Sequence, residues 1–71
     1  MKRQPLRSSV LKSAGYDPAT ALLELEFASG DVYRYFAVPP SVFAALTDDD
    51  SPGAYFNTHI SDKYPTRHQY E

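Results

Sequence analysis

The sequence predicts a small α+β domain, in which a three-stranded antiparallel β-meander is followed by two short helices packed on one face of the sheet. Residues Leu22–Phe27 alternate apolar and polar side chains, a pattern typical of a half-buried strand. After the dipeptide Pro39-Pro40 the apolar residues are spaced three and four apart, as in an amphipathic helix. A chain of 71 residues without cysteine holds one such domain and no disulfide.

The first two strands are predicted on either side of a turn. Residues 8–16 alternate imperfectly, so that Val10 shares a face with Lys12 or Leu11 with Ser13. Residues 17–20 form the turn, because an aspartate bonds its own backbone and a proline presets its dihedral angle. The second strand, Leu22–Phe27, places its apolar side chains on one face and two glutamates on the other.

A three-residue hairpin loop, residues 28–30, is expected to lead into the third strand, with Gly30 in the left-handed conformation. This register sets Glu24 opposite Arg34. A four-residue loop would shift the pairing by one residue and move Tyr33 and Tyr35 to the glutamate side. We favour the first register, because opposite-charge and aromatic–leucine pairs both stabilise neighbouring strands.

Two helices are predicted after the third strand. Pro40 suits the first turn of a helix that runs to Leu46 and ends at the aspartates of residues 48–50. Ser51 is placed to cap a second helix that begins at Pro52. The apolar spacing continues to Tyr64, where the following proline prevents further helix.

Taken together, these residues resemble the KTSC domain, a module found at the carboxyl end of some lysyl-tRNA synthetases and in small bacterial and phage proteins. The resemblance runs from about Ser9 to Tyr64 and includes a Tyr-x-Tyr signature at Tyr33 and Tyr35. The other matching residues are Tyr16, Asp17, Leu23, Leu25, Phe27, Gly30, Val38, Pro39, Ser51, Gly53, Tyr55, Phe56, Asn57 and Ile60. The resemblance agrees with a single domain over residues 8–71, and the polar, basic composition of residues 1–7 predicts a flexible segment before it. It implies no enzymatic reaction, and RNA binding is the activity proposed for the family.

Positive charge is concentrated at the two ends of the chain. Residues 1–12 carry four basic side chains and no acid, whereas residues 13–62 carry eight acids against Arg34 alone. We therefore expect a basic rim built from both ends if the first strand lies beside the closing helix. Its members would be Lys2, Arg3, Arg7, Lys12, Lys63, Arg67 and His68.

The candidate contacts to a nucleic acid or another ligand are basic, aromatic or amide side chains: Arg7, Lys12, Tyr33, Arg34, Tyr35, Asn57, His59, Lys63 and Arg67. Exposed tyrosines would stack on unpaired bases, but the favoured register places Tyr33 and Tyr35 against leucines in the core. Arg34 would either contact phosphate or pair with Glu24. On one helix, His59 and Lys63 would lie four apart and offer two donors to an anion.

Catalytic and metal sites are not predicted. No motif supplies a nucleophile or a paired carboxylate, and a hydrolase would require His59, Lys63 and an acid to converge in a cleft. Three consecutive aspartates lack the alternating spacing of a calcium loop, and the histidines lie nine apart across a proline. We expect no enzyme activity, no metal and no cofactor.

The leading hypothesis is a non-catalytic module that binds RNA or tRNA. The alternative is a protein-interaction module that uses a sheet edge or a groove beside the helices to bind a partner or a second copy of itself. The first nine residues are too polar for a signal peptide, and no apolar run has the length of a membrane span. The expected location is therefore cytoplasmic, without a membrane partner.

Overall fold

A computed structural model describes residues 2–69 as a five-stranded antiparallel sheet with two helices. The elements in chain order are β1 (Arg3–Pro5), β2 (Leu11–Asp17), β3 (Leu22–Phe27), β4 (Val32–Tyr35), α1 (Pro40–Asp48), α2 (Pro52–His59) and β5 (Thr66–Gln69). The strands lie side by side in the order of the chain, so that β1 and β5 form the two edges. The α+β class with an antiparallel sheet and two helices is confirmed.

The predicted number of strands is wrong, because β1 and β5 extend the meander at its two edges. Both are short and mainly polar, and neither has the alternation that marks a half-buried strand. β5 pairs with β4 over four residues, and β1 pairs with β2 over three. β1 falls within the segment expected to be loose. The boundary after residue 7, and the flexibility of that segment, stay predictions.

The central hairpin has the expected register. Glu24 lies opposite Arg34, and Leu25 lies opposite Tyr33. The Phe27 N–H donates to the Asp31 carbonyl at 2.8 Å, which closes a loop of three residues. Gly30 adopts a φ of 96° in this loop, a conformation that side chains disfavour.

β2 begins later than predicted and contains an irregularity. The Ser8 hydroxyl accepts hydrogen bonds from the N–H groups of Val10 and Leu11, so the chain turns before the strand starts. The pairing with β3 then shifts between Leu11 and Ser13. The turn after β2 is as expected, since the Asp17 carboxylate accepts from the Ala19 N–H at 3.0 Å.

Both helices start at the predicted prolines. α1 ends at Asp48, the first of the aspartates that were expected to end it. α2 ends at His59, where the Ser61 N–H donates to the Phe56 carbonyl at 2.8 Å and Asp62 adopts a φ of 61°. The expected continuation to Tyr64 is therefore wrong. Because Lys63 lies in the turn after α2, it is not a helical neighbour of His59.

The core fills the space between the helices and one face of the sheet. Leu23, Leu25 and Tyr35 point into it from the central strands, while Leu46 and Phe56 enter from the helices. The remaining buried hydrophobic residues are Leu11, Ala14, Val38 and Ile60. Side chains alternate along a strand, so the residues between these core positions project from the opposite face. In the described part of the chain no helix covers that face, which is called the open face below.

Candidate functional site

A row of charged residues crosses the open face from one edge of the sheet to the other. The strand registers place Arg3 beside Gly15, Gly15 beside Glu24, Glu24 beside Arg34, and Arg34 beside Arg67. Directly paired residues point to the same side of an antiparallel sheet. These four charged residues and Gly15 therefore lie together on the face opposite the helices, and they are called the charged row below.

Glu24 is the centre of the charged row. Only 8% of this residue is exposed, and among the described residues it is the only charged one that is buried. Its Oε1 accepts a hydrogen bond from Arg34 Nε at 3.0 Å, and its Oε2 lies 3.5 Å from Arg3 Nε. Gly15 has no side chain between Arg3 and Glu24, which allows the arginine to reach across β2. Two guanidinium groups thus compensate one buried carboxylate.

Arg67 adds positive charge beside this pair. It is exposed and lies directly opposite Arg34, an arrangement of like charges that weakens strand pairing. Within residues 2–69 no carboxylate forms an ion pair with Arg67. Because the row contains three arginines and one glutamate, its net charge is positive.

The neighbouring row on the open face is closer to neutral. The Ser13 hydroxyl donates to Glu26 Oε1 at 2.9 Å. Lys12 Nζ lies 3.9 Å from Glu26 Oε2, but 68% of the lysine side chain is exposed. An ion pair of this length and exposure contributes little to stability, so Lys12 is available to a ligand.

A groove of about 380 Å³ adjoins the charged row. Its walls come from the row, from the β3–β4 loop and from the end of β5: Arg3, Glu24, Gly30, Asp31, Val32, His68 and Gln69. The His68 Nε2 lies 3.2 Å from Asp31 Oδ1 at one end. The groove therefore offers polar groups next to the arginines.

The two signature tyrosines do not form a stacking platform. Tyr35 is 4% exposed and meets the Phe56 ring edge-on at 5.8 Å. Burial raises the pKa of Tyr35 to about 12, with smaller contributions from Tyr33 and Asp62. Tyr33 is half-buried and stacks on the His68 ring at 4.5 Å. The core interpretation is thus correct for Tyr35, and Tyr33 has one face occupied by a ring of the protein itself.

The remaining candidate residues are distributed over the helical side of the molecule. Arg7 and Asn57 border a second groove, of about 400 Å³, at the amino end of α2. His59 is exposed and its ring lies 4.4 Å from that of Tyr55. Lys63 is exposed in the turn that follows α2. The single rim expected from the two chain ends is therefore wrong, because its members divide between the open face and the surroundings of α2.

Of the candidate residues predicted from the sequence, Arg34, Arg67 and Lys12 lie on the open face; Glu24 was not assigned to a site. The predicted hairpin register already placed Glu24 opposite Arg34, and this pairing was the signal that could have identified Glu24 as a site residue. Arg3 was expected only in the basic rim, because its strand was not predicted. Among the described residues no group of three or more histidine, cysteine, aspartate or glutamate side chains is placed to hold a metal ion. Neither described helix is long and apolar enough to cross a membrane.

Comparison with known proteins gives consistent matches. The family model of the KTSC domain matches residues 7–64. A crystal structure of a KTSC domain protein from Yersinia pestis superimposes with a TM-score of 0.94 and 33% sequence identity, covering 97% of each chain. An uncharacterized protein of Stutzerimonas stutzeri is 58% identical over 57 residues, or 80% of each chain. A lysine–tRNA ligase of Nostoc punctiforme is 46% identical over 56 residues, which are 79% of this chain and 10% of the ligase.

Proposed function

The chain belongs to the KTSC domain family, and on that premise we propose that it is a non-catalytic module that binds RNA through the open face of its sheet. The observation that carries the proposal is the charged row, in which Arg3, Arg34 and Arg67 come from three different strands to one surface. Neutralisation of phosphates by arginine and lysine supplies most of the affinity of a non-specific RNA-binding surface.

The distribution of charge also favours this face. The whole chain has a formal net charge of −2, but on the open face Glu24 and Glu26 are outnumbered by Arg3, Arg34, Arg67 and Lys12, and a separate group of acids lies away from this face. Asp48, Asp49 and Asp50 lie where α1 gives way to α2, on the helical side of the sheet. An approaching polyanion would be repelled by these three aspartates and attracted to the arginines of the open face, which orients the encounter.

The relatives support RNA as the partner. The sequence matches a segment in lysine–tRNA ligases of Nostoc punctiforme, Nostoc sp. and Trichormus variabilis, and each match covers 10% of the ligase. A ligase of this name acts on tRNA, so a module attached to it lies near RNA. An RNA-binding surface on the module would add contacts to the same substrate, and the increase in effective concentration would strengthen binding.

Fluorescence anisotropy with a labelled single-stranded RNA and with tRNA, at about 50 and 200 mM salt, tests the proposal. We expect binding at the lower salt concentration that weakens at the higher one. The Arg67→Gln variant should bind more weakly, whereas Arg7→Gln, the same change beside α2, should bind as the parent does. Absence of binding at low salt, or equal binding by the parent and Arg67→Gln, would contradict the proposal.

A protein-interaction module remains the second candidate, and the edge strand β5 favours it. β1 contains Pro5, which cannot donate a hydrogen bond to an added strand, whereas Thr66–Gln69 contain no proline. An extended segment of a partner or of a second copy would pair at this edge. A pull-down from nuclease-treated lysate would retain a specific protein if this candidate is correct, and recover none if it is not.

A further inference from the structure

We propose that Glu24 is a positioning residue, which holds Arg3 and Arg34 as a clamp for successive phosphate groups of an RNA backbone, with Arg67 as the third contact. This inference rests on the proposed function and specifies how the open face would perform it. Glu24 lies between the two arginines and contacts each with a different carboxylate oxygen.

The contact atoms leave the arginines able to bind a ligand. Both approach Glu24 through Nε, at 3.0 Å for Arg34 and 3.5 Å for Arg3. A guanidinium carries further N–H donors on its two Nη atoms, in a planar fork that matches two phosphate oxygens. The side chains of Arg34 and Arg3 are 41% and 32% exposed, against 11% for that of Glu24. Solvent therefore reaches the arginines while the carboxylate beneath them is largely covered.

The restraint by Glu24 has a thermodynamic consequence. A free arginine side chain loses rotamer entropy when it binds a phosphate, and this loss opposes binding. An arginine already held by Glu24 loses less. The carboxylate also lowers the positive potential of the face, which by itself weakens the attraction for phosphate. These two effects of Glu24 have opposite signs, so a neutral replacement shows which is larger.

The length of the charged row matches a chain of phosphates better than a single anion. Arg3 lies on β1 and Arg67 on β5, four inter-strand spacings apart. At about 4.8 Å for each spacing, the row extends roughly 19 Å across the sheet. A single phosphate ion would contact one part of it. The adjoining groove of about 380 Å³, bordered by Arg3 and Gln69, leaves room for a nucleoside beside the phosphates.

The decisive variant is Glu24→Gln, measured by anisotropy with the same labelled RNA. Although this substitution makes the face more positive, we expect RNA affinity to fall by about fivefold or more, because the arginines lose their restraint. Unchanged or tighter binding would show that the charge effect is at least as large as the restraint, and would overturn the claim that Glu24 favours RNA binding by positioning the arginines. Circular dichroism and thermal unfolding of each variant establish that the fold is retained. If Glu24→Gln does not fold, the variant Arg34→Lys supplies the test.

Arg34→Lys keeps the charge and removes the planar fork. We expect it to lower RNA affinity by about fivefold or more, because a lysine cannot contact Glu24 and a phosphate with the same geometry. Arg7 was a candidate contact in the sequence, but it lies beside α2 and outside the proposed open-face surface. Arg7→Lys is therefore the matched control and should change affinity by less than about twofold. Equal affinities for Arg34→Lys and the parent would contradict the clamp.

Failure of this inference can be told apart from failure of the proposed function. If the parent binds RNA but Glu24→Gln and Arg34→Lys bind equally well, the clamp is wrong and RNA binding stands. If the parent does not bind RNA at low salt, both are wrong. Titration with inorganic phosphate, followed by the NMR signals of the Arg3 and Arg34 Nε–H groups, separates the two sources of phosphate. A response to inorganic phosphate as strong as that to RNA would overturn the backbone assignment.

Discussion

Replacement of Gly30 by alanine is expected to destabilise the domain through the backbone alone. Gly30 has a φ of 96°, and a Cβ added there would meet no atom within 4 Å. The left-handed conformation costs a residue with a side chain about 1–2 kcal/mol. Alanine also restricts the unfolded chain, which returns about 0.4–1 kcal/mol. The expected net loss in the free energy of unfolding is therefore about 1 kcal/mol.

Thermal unfolding followed by circular dichroism measures this loss. In a domain of this size 1 kcal/mol corresponds to a fall in Tm of about 4–8 °C. Asparagine enters the left-handed region more readily than alanine, so Gly30→Asn should lose less. The reasoning would be refuted if Gly30→Ala were as stable as the parent, or if asparagine were no better than alanine. The loop matters to the site, because its length sets Glu24 opposite Arg34.

Three further predictions concern stability. The pKa of Tyr35 is raised to about 12 in the folded protein, so as the pH rises the hydroxyl is deprotonated in the unfolded chain before it is in the folded one. The free energy of unfolding, measured by urea unfolding, should therefore fall by about 2 kcal/mol between pH 10 and 12. Tyr35→Phe should reduce that fall, and an identical pH profile would contradict the burial argument. Ala37 has a φ of 60°, so Ala37→Gly should raise the free energy of unfolding by about 0.5 kcal/mol, and a lower Tm would contradict this. The Ser51 side chain makes no capping hydrogen bond, so Ser51→Ala should cost less than about 0.5 kcal/mol, and a loss of 1 kcal/mol or more would show a bond that this structure lacks.

The sequence predicted the parts of the fold that have strong local signals. The loop of residues 28–30 needs a glycine at its last position, and this fixed the register that joins Glu24 to Arg34. The start of α2 follows from a proline, which is favourable in the first turn of a helix. Each of these features depends on a few neighbouring residues.

The features that sequence reasoning missed depend on distant contacts. β1 and β5 are strands because β2 and β4 offer them hydrogen bonds, while their own side chains show no strand pattern. α2 ends at His59 although the apolar spacing continues, and Asp62 then adopts a left-handed conformation. Because residues other than glycine rarely adopt this conformation, the sequence does not indicate it.

The candidate site was only partly visible for the same reason. Arg34 and Arg67 are far apart along the chain and become neighbours only through the pairing of β4 with β5. Arg3 reaches Glu24 over Gly15, which requires the pairing of β1 with β2. The end-loaded charge seen in the sequence was a correct observation, but the fold divides it between the open face and the surroundings of α2.

The most direct test of RNA binding at the open face is an NMR titration of the ¹⁵N-labelled protein with single-stranded RNA at low salt. We predict that the changed amide and arginine signals belong to the charged row, above all Arg3, Glu24, Arg34 and Arg67. Signals of α1 and α2 should change little. Changes confined to the surroundings of Arg7 and Asn57, or no changes at all, would contradict the account.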